Sequence, residues 1–170
     1  FKQAAQLAID KNYPGMIIDL RNNPGGYLEG AIDLSSFFVE DGGVVVQEEN
    51  KQGEKKPFKT SLSPILKNKK LVVLVDGGSA SASEIFAGAI QDHKKGTVVG
   101  EKTYGKGSVQ TLEELKGGSE LKVTVAKWLT PKGRTINQQG IEPDVKVEMT
   151  EEDIKQEKDP QLDKALELIK

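Results

Sequence analysis

An apolar segment, a glycine pair and a helical segment follow one another over residues 70–101, and this succession constrains the fold more than any other feature. The segment KLVVLVDG (70–77) is predicted as a buried strand, SASEIFAGAIQDH (81–93) as a helix, and GTVVGEK (96–102) as a second strand. Short apolar strands joined by such a helix pair in parallel through a right-handed crossover. The chain is therefore predicted to contain a parallel sheet.

The same succession is predicted once before, in GMIIDLR (15–21), YLEGAIDLSSFFVE (27–40) and GGVVVQEE (42–49). The second half has more antiparallel character, so the predicted fold class is α/β, or α+β with a mixed sheet. The other predicted elements are a helix in FKQAAQLAIDK (1–11), a polar hairpin tip in NKQGEKKP (50–57), strands in ELKVTVAKWLT (120–130) and GIEPDVKVEM (140–149), and a C-terminal amphipathic helix.

Composition excludes several classes of protein. The chain has no cysteine, so it forms neither a disulfide framework nor a thiolate metal site. Its net charge of −2 is mixed in sign and predicts no nucleic-acid partner.

The chain's 170 residues suit one compact domain, and because the sequence starts at Phe1 it is interpreted as a piece of a longer protein. Residues 1–150 are predicted to form the core, truncated at its N-terminus, and residues 151–170 a charged segment and a terminal helix.

The stretch VDGGSASASEIFAG (75–88) allows two interpretations. In the first, Ser81 and Glu84 form a capping box, in which each side chain bonds the backbone N–H of the other residue. In the second, Ser81 is a nucleophile at a strand-to-helix turn. Unpaired N–H groups at a helix N-terminus favour developing negative charge, as an oxyanion hole requires.

A nucleophilic serine needs a base, and the single histidine, His93, is badly placed for that role. If residues 81–93 form a single helix, His93 lies roughly 18 Å from Ser81 along the helix axis. His93 is therefore predicted to end the helix. A Ser-His-Asp triad is therefore not expected, and a lysine base is the remaining option. Lysine accepts a proton only when its surroundings, such as burial, lower its pKa. The candidate is Lys106, between two glycines in TYGKGSVQ (103–110), with Gln110 to orient it.

A competing motif overlaps this lysine. The segment GEKTYGK (100–106) follows a predicted strand and matches the G-x-x-x-x-G-K loop that cradles phosphates. That motif requires Ser or Thr directly after the lysine to bind magnesium, but Gly107 stands there and Ser108 comes one place late. Nucleotide binding remains an alternative that magnesium-dependent ATP binding would distinguish.

Four blocks occur in the order in which one family carries them, namely DLRNNPGG (19–26), GSASASEIFAGAI (78–90), GEKTYGKGSVQ (100–110) and KWLTPKGRTINQQGIEPD (127–144). With these blocks the chain resembles the C-terminal processing, or tail-specific, peptidases along nearly its whole length. The resemblance implies a ClpP/crotonase-like core and a serine endopeptidase that cleaves proteins near their C-termini. It implies no cofactor and no metal.

The resemblance also implies the site residues. Ser81 corresponds to the nucleophile, Lys106 to the base, and Gln110, one helical turn after the lysine, to a residue that completes the site. The N–H of Ala82 pairs with that of either Gly25 or Gly26 to form the oxyanion hole. Supporting roles are implied for Ser79 and Ser83, which cap or pack, for Glu84, which supports the helix start, and for Arg21 and Asn23, which hold the turn.

The expected partners are polypeptides, recognised through their C-terminal region. The resemblance implies a PDZ domain ahead of Phe1 in the parent protein, which captures a substrate C-terminus. It also implies that the parent forms oligomers and works outside the cytoplasm, as a periplasmic, secreted or membrane-anchored enzyme. Strands missing before Phe1 are expected to leave a sheet edge open. A non-catalytic peptide-binding module of the same fold is the second alternative.

Overall fold

The structure is a computed structural model that describes residues 1–115 and 117–170. Its helices are α1 (Lys2–Asp10), α2 (Leu28–Ser35), α3 (Ala82–Asp92), α4 (Glu151–Lys155) and α5 (Pro160–Ile169). Its strands are β1 (Gly15–Asp19), β2 (Val44–Asn50), β3 (Lys55–Lys59), β4 (Lys70–Val75), β5 (Thr97–Gly100), β6 (Ser108–Glu114), β7 (Glu120–Leu129) and β8 (Val145–Lys146). They form a parallel sheet, in the order β1-β4-β5-β8, and an antiparallel sheet, in the order β3-β2-β7-β6.

The parallel sheet is built around β4, whose apolar residues are buried on both faces, as expected for a parallel sheet covered by helices. Leu71, Val73 and Val75 face a core that includes Phe86 of α3. Val72 and Leu74 face the other way and pack with Ala165, Leu168 and Ile169 of α5. The predicted unit of residues 70–101 is confirmed, because β4 and β5 are parallel neighbours joined by α3.

The first predicted unit is wrong in its last strand. Strand β2 pairs antiparallel with β3 and β7, and β1 instead pairs in parallel with β4. The predicted helix over residues 27–40 also ends early, at Ser35. The hydroxyls of Ser35 and Ser36 donate to the carbonyls four residues back, at 2.7 and 2.9 Å, a contact that bends and weakens helices. The chain then turns away toward the second sheet.

Two strands were not predicted, and one predicted strand is far shorter. Strands β3 and β6 are the outer strands of the antiparallel sheet and are largely exposed, so they carry little apolar signal. Pro57 lies in β3, at an edge where proline is tolerated. The strand predicted over residues 140–149 is reduced to β8. Just before it, the Asp144 carboxylate accepts a hydrogen bond from the Val98 N–H at 2.8 Å.

Helix α5 completes the second face of the parallel sheet. Ala165 is fully buried against Val72, Leu74 and Val99, so the terminal helix shares a core with the strands. Among the residues described, no helix is long and apolar enough to cross a bilayer.

Candidate active site

Ser81 stands between strand β4 and helix α3 on a strained backbone. Its φ of 56° and ψ of −117° are uncommon for an L-residue and persist only where the surroundings enforce them. The Ser81 N–H donates to Oε2 of Glu84 at 2.8 Å, which forms half of the predicted capping box. The Ser81 hydroxyl faces the Glu84 N–H in the other half of the capping box, but it makes no side-chain hydrogen bond of full geometry there. The hydroxyl thus stands at a helix N-terminus without such a bond in the described chain.

Glu84 is the buried centre of the site and has no exposed surface. Its Oε1 accepts from the Thr103 hydroxyl and from the Gly105 N–H, both at 2.6 Å. Its Oε2 accepts from the N–H groups of Ser81 and Lys106, at 2.8 and 2.9 Å. These four donors match the roughly four acceptor positions of a carboxylate. Glu84 therefore ties the serine turn to the lysine loop, a role that goes beyond support of the helix start.

Lys106 lies in the loop between β5 and β6, which brings its backbone to the serine turn. Its side chain is exposed, whereas the sequence favoured a buried lysine. In the part of the chain that the structure describes, no hydrogen bond joins the Lys106 ammonium to Ser81. The two residues are thus linked through Glu84 by their backbones, and no bond between their side chains is found among the described residues.

The glycines on either side of Lys106 allow close backbone contacts within the chain. The space beside each glycine is filled by residues 136–140. A Cβ at Gly107 would lie 2.2 Å from the Asn137 nitrogen, and one at Gly105 would lie 3.0 Å from the Gln138 carbonyl carbon. The Gln138 N–H also donates to the Gly105 carbonyl at 2.8 Å. The glycines allow the lysine loop to pack closely on residues 136–140.

Gln110 is not one helical turn from Lys106, so that part of the prediction is wrong. It lies in strand β6, where four residues span roughly 13 Å. Its side chain is exposed, and its amide donates to the Thr124 hydroxyl at 3.3 Å. A register shift lies between Val109 and Gln110, where Val125 of β7 is left as an extra residue opposite β6.

The NPGG turn packs directly on the serine turn. The Asn23 carbonyl accepts from the Ala80 N–H at 3.0 Å and from the Ser83 hydroxyl at 3.1 Å. Gly25 has a φ of +89°, and a Cβ there would lie 2.5 Å from the Ala80 oxygen and 2.7 Å from the Ala82 nitrogen. Only glycine fits this position, because the two turns are in backbone contact.

The structure distinguishes the two candidate oxyanion donors of this turn. The Gly25 N–H already donates to Oδ1 of Asn23 at 3.0 Å. Neither Gly26 nor Ala82 donates its N–H to any acceptor in the described residues, and a Cβ at Gly26 would meet nothing within 4 Å. Ala82 is the first residue of α3, where N–H groups lack intrahelical partners.

An apolar pocket of about 190 Å³ opens beside these N–H groups. Its walls come from the NPGG turn, from α2 and from the start of α3. The side chains and backbone around it include Leu20, Tyr27, Gly30, Ala31, Leu34 and Phe86. It can hold a small apolar side chain next to Ser81.

The neighbouring serines are engaged in packing, as predicted. The buried Ser79 hydroxyl donates to the Leu20 carbonyl at 2.7 Å and accepts from the Asp76 N–H at 3.0 Å. The Asp76 carboxylate in turn accepts from the N–H groups of Asn22 and Gly78, both at 2.9 Å. This network joins the end of β4 to the turn after β1.

Arg21 holds the turn through partners that the sequence did not indicate. Its guanidinium contacts Asp19 next to it and Asp159 at the start of α5, with nitrogen–oxygen distances of 2.7 and 2.9 Å. Sequence analysis missed Asp159 because nothing in a charged tail distinguishes one carboxylate from its neighbours.

His93 ends helix α3, and its Nε2 lies 2.7 Å from the Val44 carbonyl oxygen. It is thus at the opposite end of the helix from Ser81, as predicted.

The nucleotide-binding alternative is not favoured, because Lys106 is followed by strand β6 and not by the helix that a phosphate-binding loop requires.

A strained serine at a helix N-terminus, beside unpaired N–H groups and an apolar pocket, defines the class of a serine peptidase. The model of the family described as Peptidase family S41 matches residues 1–147. The chain belongs to this family.

Two curated relatives illustrate the similarity. A probable CtpA-like serine protease of Staphylococcus haemolyticus is 49% identical over 134 residues, covering 78% of this chain and 27% of that protein. The carboxy-terminal processing protease CtpA of Bacillus subtilis is 45% identical over 139 residues, covering 82% of this chain and 30% of that protein. The chain therefore spans less than a third of the length of these relatives.

Among solved structures, a photosystem II D1 C-terminal processing protease superposes with a TM-score of 0.81 at 37% identity, covering 86% of this chain and 38% of that chain. The predicted α/β class with a ClpP/crotonase-like core is confirmed by this match together with that of the family model.

Proposed function

We propose that this chain is the catalytic core of a serine endopeptidase that cleaves polypeptides near their C-termini, with Ser81 as nucleophile and Lys106 as base. The observation that best supports the pair is the Glu84 carboxylate, which accepts from the backbone N–H groups of both residues. The similarity to carboxy-terminal processing proteases supports cleavage near C-termini.

In the proposed mechanism, neutral Lys106 accepts the proton of the Ser81 hydroxyl while Oγ attacks the scissile carbonyl carbon. The N–H groups of Ala82 and Gly26 donate to the oxyanion that forms. The C–N bond then breaks, the amine leaves with the proton from Lys106, and an acyl-serine remains. Water hydrolyses this ester, restoring the free hydroxyl. Preorganised N–H donors of this kind contribute about 3 kcal/mol each.

The exposure of Lys106 is compatible with this role once a substrate is bound. A peptide lying across Ser81 would cover the lysine and exclude water from it. Catalytic hydrogen bonds are often long before substrate binds and shorten afterwards. Gln110 is proposed to position the lysine in that bound state.

The apolar pocket beside Ser81 favours a small apolar residue on the acyl side of the cut bond. The wider setting is proposed from the family resemblance alone. The longer protein would bind substrate C-termini through a PDZ domain, would act outside the cytoplasm and would form oligomers.

The test is mass spectrometry of a long unstructured peptide with an apolar C-terminus, incubated with the wild-type protein, Ser81→Ala, Lys106→Ala and Lys102→Ala. Lys102 is an exposed lysine of the same loop that pairs with Glu142 at 2.8 Å, so it is a matched control. We expect cleavage to be lost in the first two variants and retained in the third. Cleavage by Ser81→Ala would contradict the mechanism. Peptide binding without cleavage by the wild type would favour the binding module.

A further inference from the structure

We propose that Asp159, the first residue before helix α5, positions the turn of residues 22–26 by clamping Arg21. This inference rests on the proposed function, because it assigns to the C-terminal helix a part in placing the Gly26 N–H. Asp159 does not touch the reacting atoms, so it is a positioning residue.

The clamp is a bidentate ion pair. Nη1 and Nη2 of Arg21 donate to the two carboxylate oxygens of Asp159, each at 2.9 Å. Nη1 also donates to Oε1 of Gln161 at 3.1 Å, while Nε and Nη2 donate to Asp19 at 3.0 and 2.7 Å. The Arg21 side chain is only 18% exposed. Forked pairs of this kind fix geometry as well as adding energy.

The turn that follows Arg21 needs support from both sides. Asn22 has a φ of 53°, a left-handed conformation that few non-glycine residues adopt, although asparagine is among those that adopt it most often. On the side of the serine turn, Asp76 accepts from the Asn22 N–H, and the Asn23 carbonyl accepts from Ala80 and Ser83. On the other side, Arg21, the residue directly before the turn, is held by Asp159, Gln161 and Asp19. Removing the Asp159 charge therefore weakens the hold on that side of the turn.

The anchor itself is rigid. Asp159 caps α5 by accepting from the Leu162 N–H at 2.9 Å. Gln161 is buried, and its amide donates to the Val147 carbonyl at 2.8 Å. Ala165 fixes the helix on the parallel sheet. The match to the family covers residues 1–147, so Asp159 lies beyond the matched residues and Arg21 within them.

The charges of the clamp persist at neutral pH. The hydrogen bond from Arg21 holds the pKa of Asp159 below its usual range. Burial raises the pKa of Asp19, but hydrogen bonds from Arg21 outweigh it and the pKa is also lowered.

The test compares Asp159→Asn with Asp163→Asn. Asparagine still caps a helix, so the first variant removes the charge of the clamp and keeps α5 capped. Asp163 is an exposed carboxylate in the first turn of the same helix and makes no described contact with Arg21. Hydrogen–deuterium exchange is measured over residues 20–27 and 160–169, and kcat and KM are measured for peptide cleavage.

We expect Asp159→Asn to speed exchange over residues 20–27 and to lower kcat on the order of 10-fold at nearly constant KM, because the oxyanion donor is misplaced. Asp163→Asn should change neither the exchange over residues 20–27 nor kcat. Asp159→Glu should retain more of the wild-type kcat than Asp159→Asn. Unchanged exchange over residues 20–27 in Asp159→Asn overturns the inference, since Asp159 is then only a helix cap. Cleavage that does not depend on Ser81 defeats the proposed function instead, and the exchange data still decide on the clamp.

Discussion

The backbone N–H groups of Ser81 and Lys106 donate to one oxygen atom, Oε2 of Glu84, at 2.8 and 2.9 Å. The separation of the two backbones is therefore set by a single buried atom. The other oxygen of Glu84 binds Thr103 and Gly105 and fixes the approach of the lysine loop.

Glu84→Gln should be strongly destabilising, because its amide nitrogen would face N–H donors where the carboxylate accepts. We expect the free energy of unfolding to fall by about 3 kcal/mol and peptide cleavage to fall with it. Urea denaturation measures the change, with the exposed Glu113→Gln as control. A loss no larger than that of the control would show that Glu84 does not hold the two loops together.

Substitution by alanine should lower stability at Gly25 of the NPGG turn and leave it nearly unchanged at Gly26. Gly25→Ala forces a side chain into a positive φ and against the Ala80 oxygen, so we expect a loss of about 2 kcal/mol or more. At Gly26 the space is open, and we expect stability to change by no more than about 0.5 kcal/mol. Thermal unfolding of the two variants measures the difference in stability. Equal melting temperatures would contradict the close contact at Gly25 and the open space at Gly26.

Gly30 forms part of the wall of the apolar pocket, where a larger side chain would occupy space. It lies within α2, lines the pocket, and a Cβ there meets nothing within 4 Å. Gly30→Ala should raise the free energy of unfolding by about 0.5–1 kcal/mol, because glycine weakens a helix. It should also lower kcat/KM for peptides with leucine before the cut bond more than for peptides with alanine there. If both peptides respond equally, the pocket does not select that residue.

Acid should weaken the Arg21 clamp. A carboxylate with a pKa lowered in the folded state contributes stability above its unfolded pKa, and this stability is lost as pH falls through the folded value. For Asp159 and Asp19 the loss should begin below the ordinary value of 3.8. Urea denaturation between pH 2 and pH 6 should therefore show a steeper acid decline for the wild type than for Asp159→Asn. Parallel curves would contradict the clamp as a source of stability.

The parts of the fold that the sequence predicted best are those with local signals. Strand β4 is a continuous apolar run, and α3 begins at a serine turn after two glycines, so both were placed to within two residues. Strands β3 and β6 were missed because they are exposed outer strands, whose pairing depends on β2 and β7 and not on their own composition.

The features of the site also divide into those with a local sequence signal and those without one. Position within a motif selected Ser81, Lys106 and Gly25 or Gly26 as candidates. The contact from the Gly25 N–H to Asn23, on which the proposal of Gly26 rests, appears only in the folded turn. The link through Glu84 to the lysine loop joins residues about twenty positions apart, and the Arg21–Asp159 pair joins residues far more distant. Such contacts depend on tertiary packing and leave no local pattern.

Ser81 is reached from strand β4 of the parallel sheet, whereas Lys106 lies where the chain crosses to β6 of the antiparallel sheet. Under the proposed pairing, a chain that has folded only its parallel half displays a nucleophile with no base beside it. Proteolytic competence would then arise only when both halves are complete, so a nascent chain whose second sheet has not formed would not cleave its neighbours.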